Sequence, residues 1–154
     1  VLVEDGHSNR ELVGQNPERI LGEIGIQVGP EVRLVAFETD FSHPLVMIEQ
    51  MLPVIPIVRA RDFDDALDMA MKAEQGMGHT AVIHSRDIQR ITRFTQRLRT
   101  GLTVANGPSG AALGVGGAAE FAHTIADPTG EGIVTAKHFT REHRLTINGA
   151  LKLA

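Results

Sequence analysis

The chain has 154 residues, of which 42% are hydrophobic and 22% are charged, a size and composition typical of one soluble globular domain. Its net charge of −4 argues against non-specific binding to nucleic acid or to a membrane surface, and no apolar stretch of the sequence is long enough to cross a bilayer. The absence of cysteine excludes disulfides, thiolate metal sites and a cysteine nucleophile within these residues.

The first half of the chain predicts one short helix followed by two strands. The helix begins at Asn16 and Pro17, a polar cap followed by the proline that suits a first turn, and it ends before Gly25. Its apolar stripe has helical spacing and consists of Ile20, Leu21 and Ile24. The segments Arg33–Phe37 and Val54–Val58 then predict strands.

The middle of the chain alternates helix and strand. Asp62 is expected to cap a helix over Phe63–Gln75, and Gly76 is expected to end it. The predicted inward face of this helix consists of Phe63, Ala66, Leu67 and Ala70. A strand that is buried in the sheet is predicted next, over His79–His84.

A second strongly amphipathic helix is predicted over Arg86–Thr100, with Gly101 as its terminator. Its predicted inward face consists of Ile88, Ile91, Phe94 and Leu98. A strand over Leu102–Ala105 and a glycine-rich loop over Asn106–Gly117 follow. One more strand is predicted over His143–Ile147.

The alternation of strands and helices with short connections decides the expected fold class. Such a pattern favours right-handed crossovers between parallel strands. We therefore predict an α/β fold, an open and mostly parallel sheet with helices on both faces in a three-layer αβα arrangement. Residues 1–154 are expected to form a single domain.

Several patterns admit a binding role beside an ordinary structural one. Gly114 and Gly116 begin a G-x-G pattern, but this loop does not connect a first strand to a helix, so a loop framing a pocket is favoured over a dinucleotide site. His79 and His84 fall on opposite sides of their predicted strand, which disfavours a shared metal. A solvated helix face is favoured over a phosphate site for the stripe of Arg86, Arg90, Arg93 and Arg97.

One carboxylate, Glu49, lies in the mostly apolar run Met47–Ala60, ahead of Pro53 and Pro56. A carboxylate beside a core segment is costly to bury without a partner. The two prolines are compatible with the start or the edge of a strand, but not with a central one. The residues alone leave Glu49 either as a surface group on a proline-bounded loop or as a group with a function, and they provide no complete catalytic set.

Four segments, taken in order, resemble the C-terminal part of aldehyde dehydrogenases. They read EQMLPVIPIVRARDFDDALDMA, AEQGMGHTAVIHS, VANGPS and PTGEG. The resemblance extends from about Val13 to Thr146, which is nearly the whole chain. The form EQMLPVIP, where the family usually has E-x-F-G-P-V, indicates the CoA-acylating branch that handles acetaldehyde and propionaldehyde.

The resemblance implies binding roles for particular residues. Glu49 would accept hydrogen bonds from the hydroxyls of the nicotinamide ribose, and Met51 would pack near the nicotinamide ring. The segment that lies near the acyl pocket in relatives is matched here by the candidate substrate-binding residues Asn106, Gly107, Pro108 and Ser109. The segment after it, without a defined chemical role, is matched by Thr129, Gly130, Glu131 and Gly132. No catalytic residue and no metal ligand is assigned within the chain.

The resemblance also implies an activity, the NAD(P)-dependent oxidation of a short aldehyde with transfer of the acyl group to coenzyme A. The cysteine and the nucleotide-binding domain of the family match nothing here and would lie upstream of Val1, so we expect the chain alone to be inactive. Residues 140–154 are expected to supply a subunit-pairing strand in a homo-oligomer. A cytoplasmic location, including enclosure in a bacterial microcompartment, fits this interpretation.

Two alternatives remain open from the sequence. The chain could be a non-catalytic, stand-alone assembly or binding module with the same fold. It could also be part of a hydrolytic aldehyde dehydrogenase, which releases a carboxylic acid and does not use CoA. The stand-alone module predicts a stable, soluble product of 154 residues, whereas a truncated parallel sheet exposes an unpaired edge and apolar surface, which predicts self-association of the isolated piece.

Overall fold

A computed structural model of the chain describes residues 2–116, 135 and 139–149. The backbone falls into two compact units, Val1–Gly76 and Met77–Ala154. Each unit contains a pair of parallel strands together with helices, which confirms the α/β class. Among the described residues, no helix combines the length and apolar character needed to cross a membrane.

The first unit contains four strands and three helices, and its core lies beneath a parallel pair of strands. The elements are β1 Val3–Glu4, β2 His7–Ser8, α1 Pro17–Gly22, β3 Val35–Thr39, α2 Pro44–Met47, β4 Val54–Val58 and α3 Phe63–Glu74. Strands β1 and β2 form an antiparallel hairpin, whereas β3 and β4 run parallel. The buried side chains of Leu12, Ile20 and Val54 form the core, and Phe37 packs against it.

Strand β4 has the predicted bounds and explains how a proline is tolerated inside it. Pro56 lies in the middle of β4, opposite Phe37 of β3. Within the described residues β4 pairs with β3 alone, so it is an edge strand, where a missing backbone N–H does not break a ladder on both sides. Strand β3 begins two residues later than predicted, because pairing starts where Val35 N donates to Pro53 O at 2.9 Å.

The start of α3 is fixed by two carboxylates. Asp62 is the N-cap, as predicted, and its side chain accepts a hydrogen bond from Asp65 N at 2.9 Å. Asp65 in turn accepts from Arg61, through the backbone nitrogen at 3.0 Å and through Nη2 at 2.9 Å. These bonds to the Arg61 side chain and backbone lower the pKa of Asp65 from 3.8 to about 2.

This lowered pKa predicts a stability difference that depends on pH. The pKa of Asp65 is lower in the folded chain than in the unfolded chain, so its ionised form stabilises the fold. This contribution to the free energy of unfolding is fully present above the ordinary carboxyl pKa and is lost as the pH falls towards about 2. We expect Asp65→Asn to lower the urea midpoint at pH 7 and to approach the wild type near pH 2.5. Asp40→Asn removes a carboxylate that has no bonded arginine among the described residues and serves as the control. A difference for Asp65→Asn that stays constant from pH 7 to pH 2.5 would contradict this account.

The second unit contains a parallel strand pair with one long helix between the strands. Its elements are β5 Thr80–Ile83, α4 Ile88–Leu98, β6 Leu102–Ala105 and a 3-10 helix over Ser109–Leu113. Strands β5 and β6 pair in parallel from Thr80 opposite Leu102 to Ile83 opposite Ala105. Among the described residues of this unit, the buried side chains are those of Ile83, Phe94 and Val104.

Helix α4 is shorter than the sequence predicted at both ends. Asp87 caps it by accepting hydrogen bonds from the backbone nitrogens of Gln89 and Arg90, so Ile88 becomes the first helical residue and is 71% exposed. At the other end Arg99 takes the left-handed conformation, with φ 52°, and ends the helix before Gly101. The predicted inward position of Ile88 is therefore wrong, because a polar cap fixed the start two residues later than expected.

Other predicted details are also wrong. Helix α1 ends at Gly22, and Ile24 beyond it is 59% exposed. Ala66 of α3 faces solvent, although it was assigned to the inward face. The segment His143–Ile147 forms no strand and is exposed, since a strand needs a ladder partner and no described segment pairs with it. The segment 129–132 lies outside the described residues.

Candidate functional site

The segment that carries Glu49 connects α2 to β4, and residues 47–53 are termed the Glu49 loop. Helix α2 ends at Met47 and β4 begins at Val54. The side chains of Glu49 and Met51 both face solvent, and Met51 is 71% exposed. An exposed methionine beside an exposed carboxylate offers an apolar contact and a hydrogen-bond acceptor on one short segment.

The backbone of the Glu49 loop is held at three points by distant parts of the first unit. Ser8 Oγ donates to Glu49 O at 2.9 Å, and the backbone nitrogen of Gly14 donates to Met51 O at 3.1 Å. Gln75 Nε2 donates to Met47 O at 2.7 Å. These bonds hold the backbone of the loop, while the side chains of Glu49 and Met51 remain exposed. A binding group is presented well by a backbone that is held in place in this way.

The Glu49 carboxylate remains available for a ligand. Within the described part of the chain, no backbone or side-chain group donates a hydrogen bond to it. An ionised carboxylate has four acceptor positions and forms charge-assisted bonds with hydroxyl donors. The geometry therefore suits the acceptance of two sugar hydroxyls, and it suits equally a solvated surface group.

The predicted substrate-binding loop follows β6 in the second unit, and the side chain of its first residue forms two hydrogen bonds with the backbone of Ser85. Asn106 Oδ1 accepts from Ser85 N at 2.9 Å, while Asn106 Nδ2 donates to Ser85 O at 2.8 Å. Asn106 N also donates to Ile83 O at 2.8 Å. Asn106 thus joins the carboxyl ends of β5 and β6, the edge at which ligands bind in open α/β sheets.

The next three residues of this loop turn the chain into the 3-10 helix. A side chain at Gly107 would bring its Cβ to 3.3 Å from Val104 Cγ1, a close contact that Val104 could relieve only by shifting slightly. Pro108 precedes the first residue of the 3-10 helix, Ser109, and both are exposed. The contact of these residues with a substrate stays a prediction.

The structure places the two predicted sets of site residues in different units. Glu49 and Met51 share one loop of the first unit, and Asn106–Ser109 share one loop of the second. His79 and His84 are exposed at the two ends of β5, and no group of three acidic or histidine side chains that could hold a metal occurs in the described ranges. The predicted arginine stripe faces solvent on α4 and just before it.

An apolar groove of about 610 Å³ lies in the first unit. Its walls come from the hairpin, from α1 and the turn after it, and from β3, α2 and β4. The most exposed of its apolar side chains are Ile24 and Ile26, at 59% and 48%. Such a face is unusual on a small monomer and favours contact with other apolar surface.

Comparison with known proteins defines the family of the chain. Residues 14–120 match the aldehyde dehydrogenase family. The chain belongs to the aldehyde dehydrogenase family. It is 38% identical over 154 residues to the propanal dehydrogenase (CoA-propanoylating) of Salmonella typhimurium, covering 99% of this chain and 33% of the relative. It is also 38% identical to an acetaldehyde dehydrogenase (acetylating) of Escherichia coli, covering 96% of this chain and 32% of the relative.

Solved structures of aldehyde dehydrogenases and related enzymes share the fold of the chain. Propionaldehyde dehydrogenase of Rhodopseudomonas palustris, with bound CoA and an acylated cysteine, superposes with a TM-score of 0.86 at 40% identity, covering 92% of this chain and 32% of that one. An engineered glycolyl-CoA reductase with bound NADP+ also gives 0.86, at 39% identity and the same coverage. A propionaldehyde dehydrogenase from a fucose-utilisation microcompartment of Clostridium phytofermentans gives 0.85 at 41% identity, again with 92% and 32% coverage.

These matches confirm the predicted resemblance to the CoA-acylating aldehyde dehydrogenases. The chain spans about a third of the length of the curated relatives that it matches. Ser8 and Gln75, whose side chains hold the Glu49 loop, were not predicted from the sequence. The Asp5-Gly6 pair, a strong signal for a two-residue hairpin turn, could have placed Ser8 on β2, whereas nothing in the sequence indicates the bond from Gln75.

Proposed function

We propose that the chain forms part of an NAD(P)-dependent, CoA-acylating aldehyde dehydrogenase that oxidises a short aldehyde to acyl-CoA. The observation that carries this proposal is the match of almost the whole chain to enzymes named as CoA-propanoylating or acetylating. Overall, aldehyde, CoA and NAD(P)+ would give acyl-CoA, NAD(P)H and a proton. The acylated cysteine of the Rhodopseudomonas structure supports a thioester route, and the thiol would come from residues outside this chain, which has no cysteine.

Within this reaction the Glu49 loop would bind and orient the nicotinamide end of the cofactor. NAD(P) supplies the hydride acceptor. Glu49 would accept hydrogen bonds from two ribose hydroxyls, and Met51 would pack near the ring. The free carboxylate, the exposed methionine and the tied backbone of the loop support these roles.

Asn106, Gly107, Pro108 and Ser109 would line part of the acyl pocket. Their position beside the carboxyl ends of β5 and β6 supports this role. Both polar ends of the Asn106 amide are bound to Ser85, so Asn106 would shape the loop, and the exposed hydroxyl of Ser109 would be free to meet the substrate.

Product analysis tests the proposal. The complete gene product should convert propionaldehyde or acetaldehyde into the acyl-CoA when CoA and NAD(P)+ are present. Formation of the free acid at the same rate with and without CoA would identify a hydrolytic enzyme and contradict the acylating assignment. A complete gene product without oxidoreductase activity would favour the stand-alone module.

The complete enzyme would act as a homo-oligomer, with residues 140–154 supplying a strand at the subunit contact. The segment 141–149 is exposed and forms no strand within the described part of a single copy, which supports a role in pairing between subunits. The cytoplasm is the proposed location, with enclosure in a microcompartment as its finer form. The Clostridium phytofermentans relative, which comes from a fucose-utilisation microcompartment, supports this finer form.

The apolar groove predicts self-association of the 154-residue chain. Size-exclusion chromatography is expected to give oligomers or aggregates, because burying the exposed apolar side chains between copies lowers the free energy. Ile24→Asp should reduce this association by charging the groove. Val115→Asp charges an equally exposed site outside the groove and is the control. A monodisperse monomer for the wild type, or equal effects of the two substitutions, would contradict the prediction.

A further inference from the structure

Gln75 ends α3 in a conformation that is unfavourable for its residue type. Its φ is 56°, in the left-handed region, where glycine or asparagine is accommodated more readily. Gly76, which the sequence predicts as the end of the helix, only follows it, with φ 79°. The explanation for a glutamine at this position lies in the contacts of its side chain.

The Gln75 amide joins the ends of two helices. Its Nε2 donates to Met47 O, where α2 ends, at 2.7 Å, and to Ala73 O in the last turn of α3 at 3.2 Å. An amide nitrogen has two hydrogens, so both bonds can form together, and only the nitrogen end of the amide can face two carbonyl oxygens. The bridge connects α3 to the first residue of the Glu49 loop.

We propose that Gln75 is a positioning residue for nicotinamide binding, acting through the Glu49 loop. By holding Met47 O it fixes the point at which the loop leaves α2, two residues before Glu49. The left-handed backbone at Gln75 accompanies the bond of its amide to Met47 O. This inference rests on the proposed function, in which Glu49 binds the nicotinamide ribose.

Four substitutions separate the side-chain bond from the backbone conformation. Gln75→Lys keeps a hydrogen-bond donor at the end of a side chain that can still extend to Met47 O. Gln75→Glu instead places a carboxylate against the same two carbonyl oxygens, while the free-energy cost of the left-handed backbone stays the same. Gln75→Gly removes the amide and relieves the left-handed conformation. Arg99→Gly is the matched control, since Arg99 ends α4 in the same left-handed conformation, with φ 52°, and lies outside the Glu49 loop.

Two measurements on the complete gene product test the role of Gln75. Hydrogen exchange of peptides covering residues 47–53 reports the order of the Glu49 loop, and steady-state kinetics give KM for NAD(P) separately from kcat. We expect Gln75→Glu and Gln75→Gly to speed exchange in these peptides and to raise KM about fivefold, as the loss of one exposed hydrogen bond implies. Gln75→Lys and Arg99→Gly should stay close to the wild type in both measurements.

The outcomes distinguish this inference from the proposed function. Unchanged exchange in Gln75→Glu overturns the positioning role whether or not the protein is active. Faster exchange with an unchanged KM also overturns it, because the loop order would then have no bearing on the cofactor. A wild-type product without NAD(P)-dependent activity overturns the proposed function, while the exchange data still decide whether Gln75 holds the loop.

Discussion

Replacing Glu49 by glutamine in the complete gene product is expected to raise KM for NAD(P) by about 10- to 100-fold. The physical reason is the loss of charge-assisted hydrogen bonds to the ribose hydroxyls, which contribute about 1.5–3 kcal/mol where one partner is charged. Glutamine keeps nearly the same shape, so the backbone anchors from Ser8 and Gln75 should persist. Initial rates at varied NAD(P) concentration provide the measurement.

The control for this experiment is Glu18→Gln, which removes an exposed carboxylate from the first turn of α1, a residue that is not part of the Glu49 loop. We expect KM and kcat of Glu18→Gln to match the wild type. A KM for Glu49→Gln within twofold of the wild-type value would assign Glu49 to the solvated surface, the alternative that its exposure also fits.

Replacing Asn106 by alanine is expected to lower the free energy of unfolding by about 3 kcal/mol. The two bonds to Ser85 contribute about 1 kcal/mol each, and alanine at φ 58° costs about 1 kcal/mol more in the left-handed region. Asn106→Gly loses the same bonds without that backbone cost, so it should lose about 2 kcal/mol. Urea unfolding monitored by circular dichroism gives both values.

Ser85→Ala keeps the bonds to Asn106, because they use only the backbone of Ser85, and loses the bond that Ser85 Oγ accepts from Asp87 N at 3.1 Å. It is the control for the loss of one neighbouring hydrogen bond, which we expect to cost about 1 kcal/mol. It should leave the link between β5 and β6 intact. If Asn106→Ala and Asn106→Gly are equally stable, the left-handed backbone carries no cost here. If neither differs from the wild type, Asn106 does not join the two strand ends.

Apolar spacing and turn residues were enough to predict the main elements of the fold. Val54–Val58 and Leu102–Ala105 are strands with the predicted bounds, and Asp62 caps α3 as expected. Helix ends were less predictable, because two non-glycine residues, Gln75 and Arg99, take the left-handed conformation ahead of the glycines expected to do so. At Gln75 this conformation accompanies a tertiary contact, the bond to Met47 O, which no local pattern contains.

The candidate site was predictable through its motifs and not through its supports. Glu49 and Met51 belong to a segment that resembles a family motif, so they could be named from the sequence. Ser8 and Gln75 bond to the loop from 41 and 28 residues away, and no spacing rule links such distant polar side chains to a carbonyl oxygen. The two hydrogen bonds between Asn106 and Ser85 are equally non-local, with a sequence separation of 21 residues.

The most direct test of the proposed function compares NAD(P)H production, with aldehyde and CoA, by the 154-residue chain and by a longer chain that includes the upstream coding region. We expect acyl-CoA and NAD(P)H from the longer chain and no turnover from the 154 residues, which contain no thiol. Turnover by the 154 residues alone, or an upstream region that encodes neither a cysteine nor a nucleotide-binding domain, would contradict it.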